Sequence, residues 1–276
     1  MRPDRSPLAL GHAVALGLLQ GPTELLPVSS SAHTTLIPWL AGWPYSTLDA
    51  ELRKSFEISL HAGGALALAV DMREELLAQA RSFDRRQATL IALSLAPPAI
   101  VGYVLRDLIE RRGGGPRSIA GALLAGAAAM AFADARREPA TRRLEDANAR
   151  DGLALGLAQA VALIPGVSRS GATLAAARAR GFSRRDAQTL SWRVALPVIL
   201  AAGALGGQRL AGRGVPMDAR RGLAAGGGAA FLSTLASARL LRRGAGGRPL
   251  LPCSVYRSML ALVVIRRLRR ADNRDG

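Results

Sequence analysis

Long runs without a charged residue set the strongest limit on how this chain can fold. Residues 87–105, 118–133, 194–208 and 222–238 carry no charge. Helices of about 17–25 apolar residues can cross the hydrocarbon core of a bilayer. The mean hydropathy of +0.17 conceals these runs because the charges are clustered between them. A soluble helical protein would need polar helix faces, so the pattern predicts an all-α, polytopic membrane helix bundle.

The basic charge of the chain supports a membrane setting. The formal net charge is +17, and aromatic residues make up only 4% of the chain. The arginines between the apolar runs stand where cations meet anionic lipid headgroups. They are Arg81, Arg85, Arg86, Arg111, Arg112, Arg136, Arg137, Arg142, Arg143, Arg242 and Arg243. Few aromatics disfavour stacking platforms for nucleic acid, so we expect membrane lipid as a partner and no nucleic acid.

Two sequence features restrict how the first apolar run can be interpreted and what the single cysteine can do. The apolar run from Pro7 to Leu19 continues into Gln20 without a signal-peptide cleavage pattern, which predicts an uncleaved first membrane helix. Cys253 is the single cysteine, so an internal disulfide and a cysteine-rich metal site are both excluded.

The two halves of the chain resemble each other. The order Gly-Leu-Leu-Gln, Leu-Leu-Pro and Ser-Ser-Ser of the first half returns as Gly-Leu-Ala-Gln, Leu-Ile-Pro and Ser-Arg-Ser, 136–139 residues later. Such spacing predicts one membrane domain over residues 1–276 with repeats at about 8–133 and 150–268. Inverted repeats with broken helices place a binding site at the repeat interface. Chance similarity between apolar segments is the alternative, and the charged segment 134–151 is predicted to be a solvated loop or surface helix.

The first repeat contains a dense polar cluster. Gln20 and Glu24 are four residues apart and therefore share one helix face. Pro27 then ends or kinks that helix, and Ser29–Ser31 and His33 follow. Burying such groups in lipid is costly, about 2.5–3.5 kcal/mol for an acid at the centre. This indicates a functional site, although a polar cluster that packs helices together is the alternative.

The second repeat contains a glycine-rich segment with an arginine, Pro165-Gly-Val-Ser-Arg-Ser-Gly-Ala-Thr173. Gly166 and Gly171 let the backbone approach a ligand closely, and amides at a helix start bind anions. Arg169 can grip two phosphate oxygens at once. Hydroxyl donors are added by Ser168, Ser170 and Thr173. The pattern predicts a phosphate site, unless the arginine merely extends to the membrane surface.

Together, QGPTELLPVSSSAH and PGVSRSGAT resemble the two signature motifs of the undecaprenyl-diphosphate phosphatase family, the bacitracin-resistance membrane proteins. The segment FEISLHAGGALALAV also resembles a family segment. The resemblance covers residues 8–80 and 150–207 well, and the last seventy residues only in hydrophobic pattern. Gln20 stands where many members have Glu, and His61 stands where Gln is common.

The resemblance implies hydrolysis of undecaprenyl diphosphate to undecaprenyl phosphate and inorganic phosphate. This reaction recycles the lipid carrier for peptidoglycan and cell-wall synthesis and is linked to bacitracin resistance and cell shape. It also implies inverted repeats with re-entrant helix-loop-helix segments. We expect a multi-pass protein of the bacterial cytoplasmic (inner) membrane, with its site facing the periplasmic side and a possible homodimer.

The resemblance also implies roles for individual residues. Catalytic roles fall to Glu24, Ser30, His33 and Arg169. Substrate contacts fall to Gln20, Ser29, Ser168, Ser170 and Thr173. A divalent cation, Mg²⁺ or Ca²⁺, is expected on Glu24 and Gln20, since hard cations prefer oxygen ligands. The nucleophile stays open between Ser30, His33 and water. His33 would be the base for Ser30, and Glu24 or His33 the base for water. His61 could belong to the site or only pack helices, and a transporter or flippase of a phosphorylated isoprenoid lipid is the alternative function.

Overall fold

The fold was analysed in a computed structural model that describes residues 8–105, 108–109, 114–135, 142–212, 217–242, 247 and 249–275. The helices in these ranges are α1 (Leu10–Leu25), α2 (Ser30–Ala41), α3 (Ala50–Asp71), α4 (Arg73–Arg81), α5 (Arg85–Val104), α6 (Pro116–Ala135), α7 (Ala149–Val161), α8 (Arg169–Ala179), α9 (Arg184–Gly212), α10 (Met217–Arg242) and α11 (Leu251–Asp275). No strand occurs in the described ranges, where one isolated bridge joins Arg142 to Phe182. The predicted all-α fold is confirmed.

Three helices in the described ranges are long and apolar enough to cross a membrane: Arg85–Val104, Pro116–Ala135 and Arg184–Gln208. They overlap three of the four uncharged runs. Large apolar side chains such as Ile100, Tyr103 and Phe132 are exposed on two of these helices, as lipid-facing residues would be. The chain is therefore a polytopic membrane protein. Five of the arginines between the apolar runs lie outside the described residues: Arg111, Arg112, Arg136, Arg137 and Arg243.

The chain divides into two compact units that are interleaved in sequence. The first takes its described residues from Met1–Leu25, Leu36–Ser82 and Pro197–Gly244. The second takes them from Leu26–Thr35, Phe83–Leu196 and Ala245–Gly276. Neither unit coincides with one half of the sequence. The single domain and the repeat boundaries therefore stay predictions.

The first unit is held together by glycines at helix crossings. In it, α10 packs against both α1 and α3. A Cβ at Gly17 of α1 would overlap the carbonyl oxygen of Gly226, and one at Gly63 of α3 would overlap that of Gly227. Small residues at such crossings let backbones approach closely in a bilayer, as the Ala- and Gly-rich runs predicted.

The second unit packs α5 against α7, α6 against α11, and α8 against both α6 and α7. Its apolar core includes Met130, Leu155, Phe182 and Leu190. The predicted break at Pro27 is confirmed, because α1 ends at Leu25 and the residue before a proline avoids the helical conformation. Helix α7 ends at Val161, four residues before Pro165.

The two ends of segment 134–151 are buried, so the prediction of a solvated segment is wrong there. Arg184 Nε donates to Asp134 at 2.7 Å. Asp151 is fully buried and accepts hydrogen bonds from Arg142 at 2.6 and 2.8 Å and from Arg180 at 2.7 Å. The two acids thus draw arginines inward, because a buried charge must be paired.

We expect Asp151→Asn to destabilise the protein by about 2–4 kcal/mol, since it leaves Arg142 and Arg180 without their shared carboxylate. Burial would raise the pKa of Asp151, but the hydrogen bonds from both arginines outweigh burial and hold that pKa below its ordinary value. A lowered pKa stabilises the fold above the unfolded value of about 3.9, and this contribution is lost as the pH falls through the folded pKa.

Thermal unfolding in detergent between pH 3 and 7 measures the loss of stability and its dependence on pH. The deficit of Asp151→Asn should stay constant from pH 7 to about 5 and shrink at lower pH. Glu145→Gln, which changes an exposed acid of the same segment, is the control. A deficit that does not depend on pH would contradict the pairing.

Candidate active site

The two Pro-Ser segments share a pattern of contacts, a turn followed by a serine-capped helix, although φ is 78° at Ser29 and −75° at Ser168. Ser29 Oγ accepts from the amide of Ala32 at 3.4 Å where α2 begins. Ser168 Oγ accepts from the amide of Gly171 at 3.2 Å where α8 begins. A serine that caps a helix in this way satisfies one of the unpaired amides of the first turn. We call residues 26–31 and 165–170 the two serine turns.

The correspondence extends to other polar contacts. Ser29 Oγ lies 3.2 Å from Ser31 Oγ, and Ser168 Oγ lies 3.1 Å from Ser170 Oγ. One constant offset of 139 residues relates both pairs. The same offset relates the bond from Thr34 Oγ1 to the Ser30 carbonyl, at 3.2 Å, to that from Thr173 Oγ1 to the Arg169 carbonyl, at 3.0 Å.

The two serine turns contact each other within the second unit. The amide of Gly166 donates to Ser31 Oγ at 3.5 Å, and Ser170 Oγ donates to the carbonyl of Leu26 at 3.4 Å. The serine that lies two residues after each capping serine, Ser31 or Ser170, therefore reaches the other turn. As a result, two helix N-termini, which both favour anions, belong to one polar cluster.

Exposure separates the predicted residues of these turns into two groups. Ser29, Ser168 and Thr173 are buried, and their hydroxyls are used within the protein. Thr173 Oγ1 lies 2.6 Å from Ser191 Oγ. The half-buried residues are Ser30, Ser31, Arg169 and Ser170. The half-buried group can reach a ligand without rearrangement, while the buried group shapes the turns.

His33 is buried and both ring nitrogens are engaged. Nδ1 lies 2.7 Å from the carbonyl oxygen of Ser29, and Nε2 lies 2.7 Å from the hydroxyl of Tyr256. A carbonyl only accepts, so Nδ1 carries the proton, and neutral His33 then accepts the tyrosine hydroxyl at Nε2. The Tyr256 ring also stacks parallel to the imidazole, with centroids 5.6 Å apart. The Ser29 carbonyl thus sets the tautomer of His33, and Tyr256 helps to fix the orientation of its ring.

We expect Tyr256→Phe to lower kcat about tenfold with little change in KM, because the ring still stacks while the hydroxyl that orients Nε2 is lost. Turnover of a lipid diphosphate by purified protein measures this. Tyr103→Phe is the control, since Tyr103 is exposed. Unchanged turnover in Tyr256→Phe would show that this hydroxyl does not orient the base.

Arg257, the next residue, is fully buried although it is charged. Its Nη1 donates to the carbonyl of Pro27 at 3.3 Å and its Nη2 to that of Gly166 at 3.1 Å. Both carbonyls belong to the serine turns. Together with Tyr256, this residue makes α11 a third contributor to the cluster.

The first unit holds the acidic part of the predicted site. Gln20 Nε2 lies 3.4 Å from Glu24 Oε2 and 3.2 Å from His61 Nδ1. His61 Nδ1 is 3.9 Å from Glu24 Oε2, and the imidazole is about half exposed while the carboxylate is largely buried. His61 therefore belongs to the Gln20–Glu24 cluster and is not a buried packing residue. In the chain, Glu24 lies five residues before Ser29.

The donors of this cluster fit a hard cation. Among the described residues, the amide oxygen of Gln20 is buried and accepts no hydrogen bond. A buried acceptor left open beside a carboxylate suits Mg²⁺ or Ca²⁺, which take oxygen ligands. The described ranges contain no group of three or more His, Cys, Asp or Glu arranged for a metal, so further ligands would be other oxygens, such as carbonyl, hydroxyl, phosphate or water oxygens.

Sequence reasoning missed Tyr256 and Arg257. Both lie in the apolar run 251–265, in the C-terminal part whose resemblance is only general. A signal was present, since Arg257 is the one charge in this run of a membrane protein, and such a charge is costly and marks a functional position by default. The same argument singled out Glu24.

Known proteins resemble this chain over most of its length. The family described as "Bacitracin resistance protein BacA" matches residues 13–263. A protein of Geobacter sulfurreducens named "Undecaprenyl-diphosphatase" is 38% identical over 266 residues, which cover 92% of this chain and 96% of that protein. Proteins of the same name from Pelobacter propionicus and Alcanivorax borkumensis are 35% and 36% identical, again over 92% of this chain and over 95% and 97% of theirs.

Proposed function

This chain belongs to the bacitracin resistance protein BacA family, and we propose that it hydrolyses undecaprenyl diphosphate to undecaprenyl phosphate and inorganic phosphate. The observation that carries the proposal is the contact between the two serine turns, which gathers two helix N-termini, Arg169 and His33 in one polar cluster of a membrane protein. Relatives named for this activity at 35–38% identity support it.

The terminal phosphate is proposed to bind at the serine turns. Hydroxyls of Ser30, Ser31 and Ser170 and the first amides of α2 and α8 provide neutral donors, and Arg169 provides the charge. Such donors stabilise the negative charge that develops on the transferred phosphoryl group, because they are in place before the reaction begins.

Attack on the terminal phosphorus breaks its bond to the bridging oxygen, and undecaprenyl phosphate leaves. Two nucleophiles are consistent with the residues, a water molecule or the hydroxyl of Ser30. Water gives inorganic phosphate directly, whereas attack by Ser30 leaves a phosphoserine that a water molecule must hydrolyse to release inorganic phosphate. In either case the base needs a free lone pair. His33 offers only Nε2, since Nδ1–H is committed to Ser29, so Tyr256 must share or release that nitrogen during turnover.

Glu24 and Gln20 would hold the divalent cation through the carboxylate and the open amide oxygen. When bound, such a cation supplies charge neutralisation on the diphosphate oxygens. His61 Nδ1 accepts a hydrogen bond from Gln20 Nε2 and so helps to orient the Gln20 amide. Glu24 is also an alternative base for a water nucleophile.

The cellular setting of this activity is proposed with it. The protein lies in the bacterial cytoplasmic membrane, the isoprenoid tail runs among the apolar helices, and the site faces the periplasmic side. A homodimer is compatible with the exposed apolar side chains of the membrane helices. The recycled carrier serves peptidoglycan synthesis.

The function is tested by phosphate release from purified protein in detergent. Undecaprenyl diphosphate and shorter prenyl diphosphates are compared, each with and without a chelator. We expect release that the chelator abolishes and that excess Mg²⁺ or Ca²⁺ restores. Binding of the lipid without phosphate release would instead support a transporter or flippase, which needs the phosphate-binding turns but no acid–base pair.

A further inference from the structure

Arg257 bonds to equivalent atoms of the two serine turns. The carbonyls of Pro27 and Gly166, which accept from Nη1 and Nη2, are related by the same 139-residue offset that relates the capping serines. One planar guanidinium therefore donates hydrogen bonds to both repeats. Its remaining described bonds go to the carbonyls of Leu123 and Ala122 on α6, each at 3.3 Å.

This arrangement is costly and specific. A guanidinium that is fully buried and bonded to neutral carbonyls gives up its hydration without a described carboxylate partner. Its fork has two rigid ends, so it fixes the distance between the two carbonyls it joins. A lysine could not hold both carbonyls in one plane.

We propose that Arg257 is a positioning residue that locks the two serine turns in the mutual geometry required for turnover of the lipid diphosphate. This inference rests on the proposed function and extends it to a residue of α11. Arg257 acts through the backbone of the turns, so its loss should lower kcat more than it raises KM.

Gly126 of α6 offers a way to move the guanidinium without removing it. A Cβ at Gly126 would overlap Arg257 Nη2. The colliding atom is the far end of a flexible side chain, so Gly126→Ala should fold and push the guanidinium off the turns. A Cβ at Gly121 of the same helix would meet no atom within 4 Å, which makes Gly121→Ala the matched control.

The experiment measures phosphate release and hydrogen–deuterium exchange on the full-length protein in detergent. In Gly126→Ala and Arg257→Lys we expect kcat to fall about 10–100-fold, with a smaller change in KM. Exchange of peptides covering residues 26–34 and 165–173 should rise together in both variants. Gly121→Ala should match the wild type in both readouts.

A double variant separates positioning from steric damage. If Gly126→Ala acts through the guanidinium, it should add little to the effect of Arg257→Met, because both remove the same interaction. Additive effects, exchange that rises in only one turn, or a lower melting temperature with unchanged kcat would each overturn the proposal. Should the wild type release no phosphate, the proposed function fails, whereas linked exchange in the two turns still tests Arg257 on its own.

Discussion

Replacing Arg169 with alanine is expected to lower kcat about 10³-fold, the largest effect of any single change in the serine turns. Arg169 is the first residue of α8 and is half-buried beside the contact between the turns. It is the charged donor at that helix start, and charge on the transferred phosphoryl group grows in the transition state. The loss corresponds to about 4 kcal/mol of transition-state stabilisation.

Two further variants show whether the charge or the geometry matters. Arg169→Lys keeps the charge but cannot bind two oxygens in one plane, so an intermediate loss of about 10–100-fold is expected. Arg150→Ala removes an exposed arginine at the start of α7 and should leave turnover unchanged. Full phosphate release by folded Arg169→Ala would remove this residue from the site.

Replacing Glu24 with glutamine is expected to lower kcat about 10²–10³-fold and to weaken the response to added cation. The change keeps the size of the side chain but removes the carboxylate beside the open amide oxygen of Gln20. Both proposed roles of Glu24, as cation ligand and as base, need the negative charge. Phosphate release measured against Mg²⁺ or Ca²⁺ concentration separates the two roles.

Gln20 and its counterpart in the second repeat provide the controls. Gln20→Glu should lower the half-activating cation concentration, because a second carboxylate joins the cluster. Gln159 lies at the matching position, and its amide oxygen also accepts no bond among the described residues, but Leu163 stands where Glu24 would be. Gln159→Glu should therefore leave the cation response unchanged. An undiminished response in Glu24→Gln would rule out the proposed ligand.

The sequence by itself determined the class of fold and the two polar motifs. Uncharged runs of membrane length force helices, since backbone groups in lipid must bond within their own segment. Helix α1 ended just before Pro27 as expected, and a serine of each Pro-Ser segment caps the helix that follows it. These features depend on neighbours within a few residues, which is why they can be read from one sequence.

Only the tertiary structure decided which distant groups meet. Tyr256 and Arg257 come more than 220 residues after His33 and Pro27, respectively, and no local pattern announces such partners. Asp134 and Asp151 look solvated in their charged segment, yet arginines at the end of α8 and the start of α9 pair with them in the interior. The burial of a charged side chain follows no local sequence pattern. It depends on which partner the packing of the helices brings within hydrogen-bonding distance.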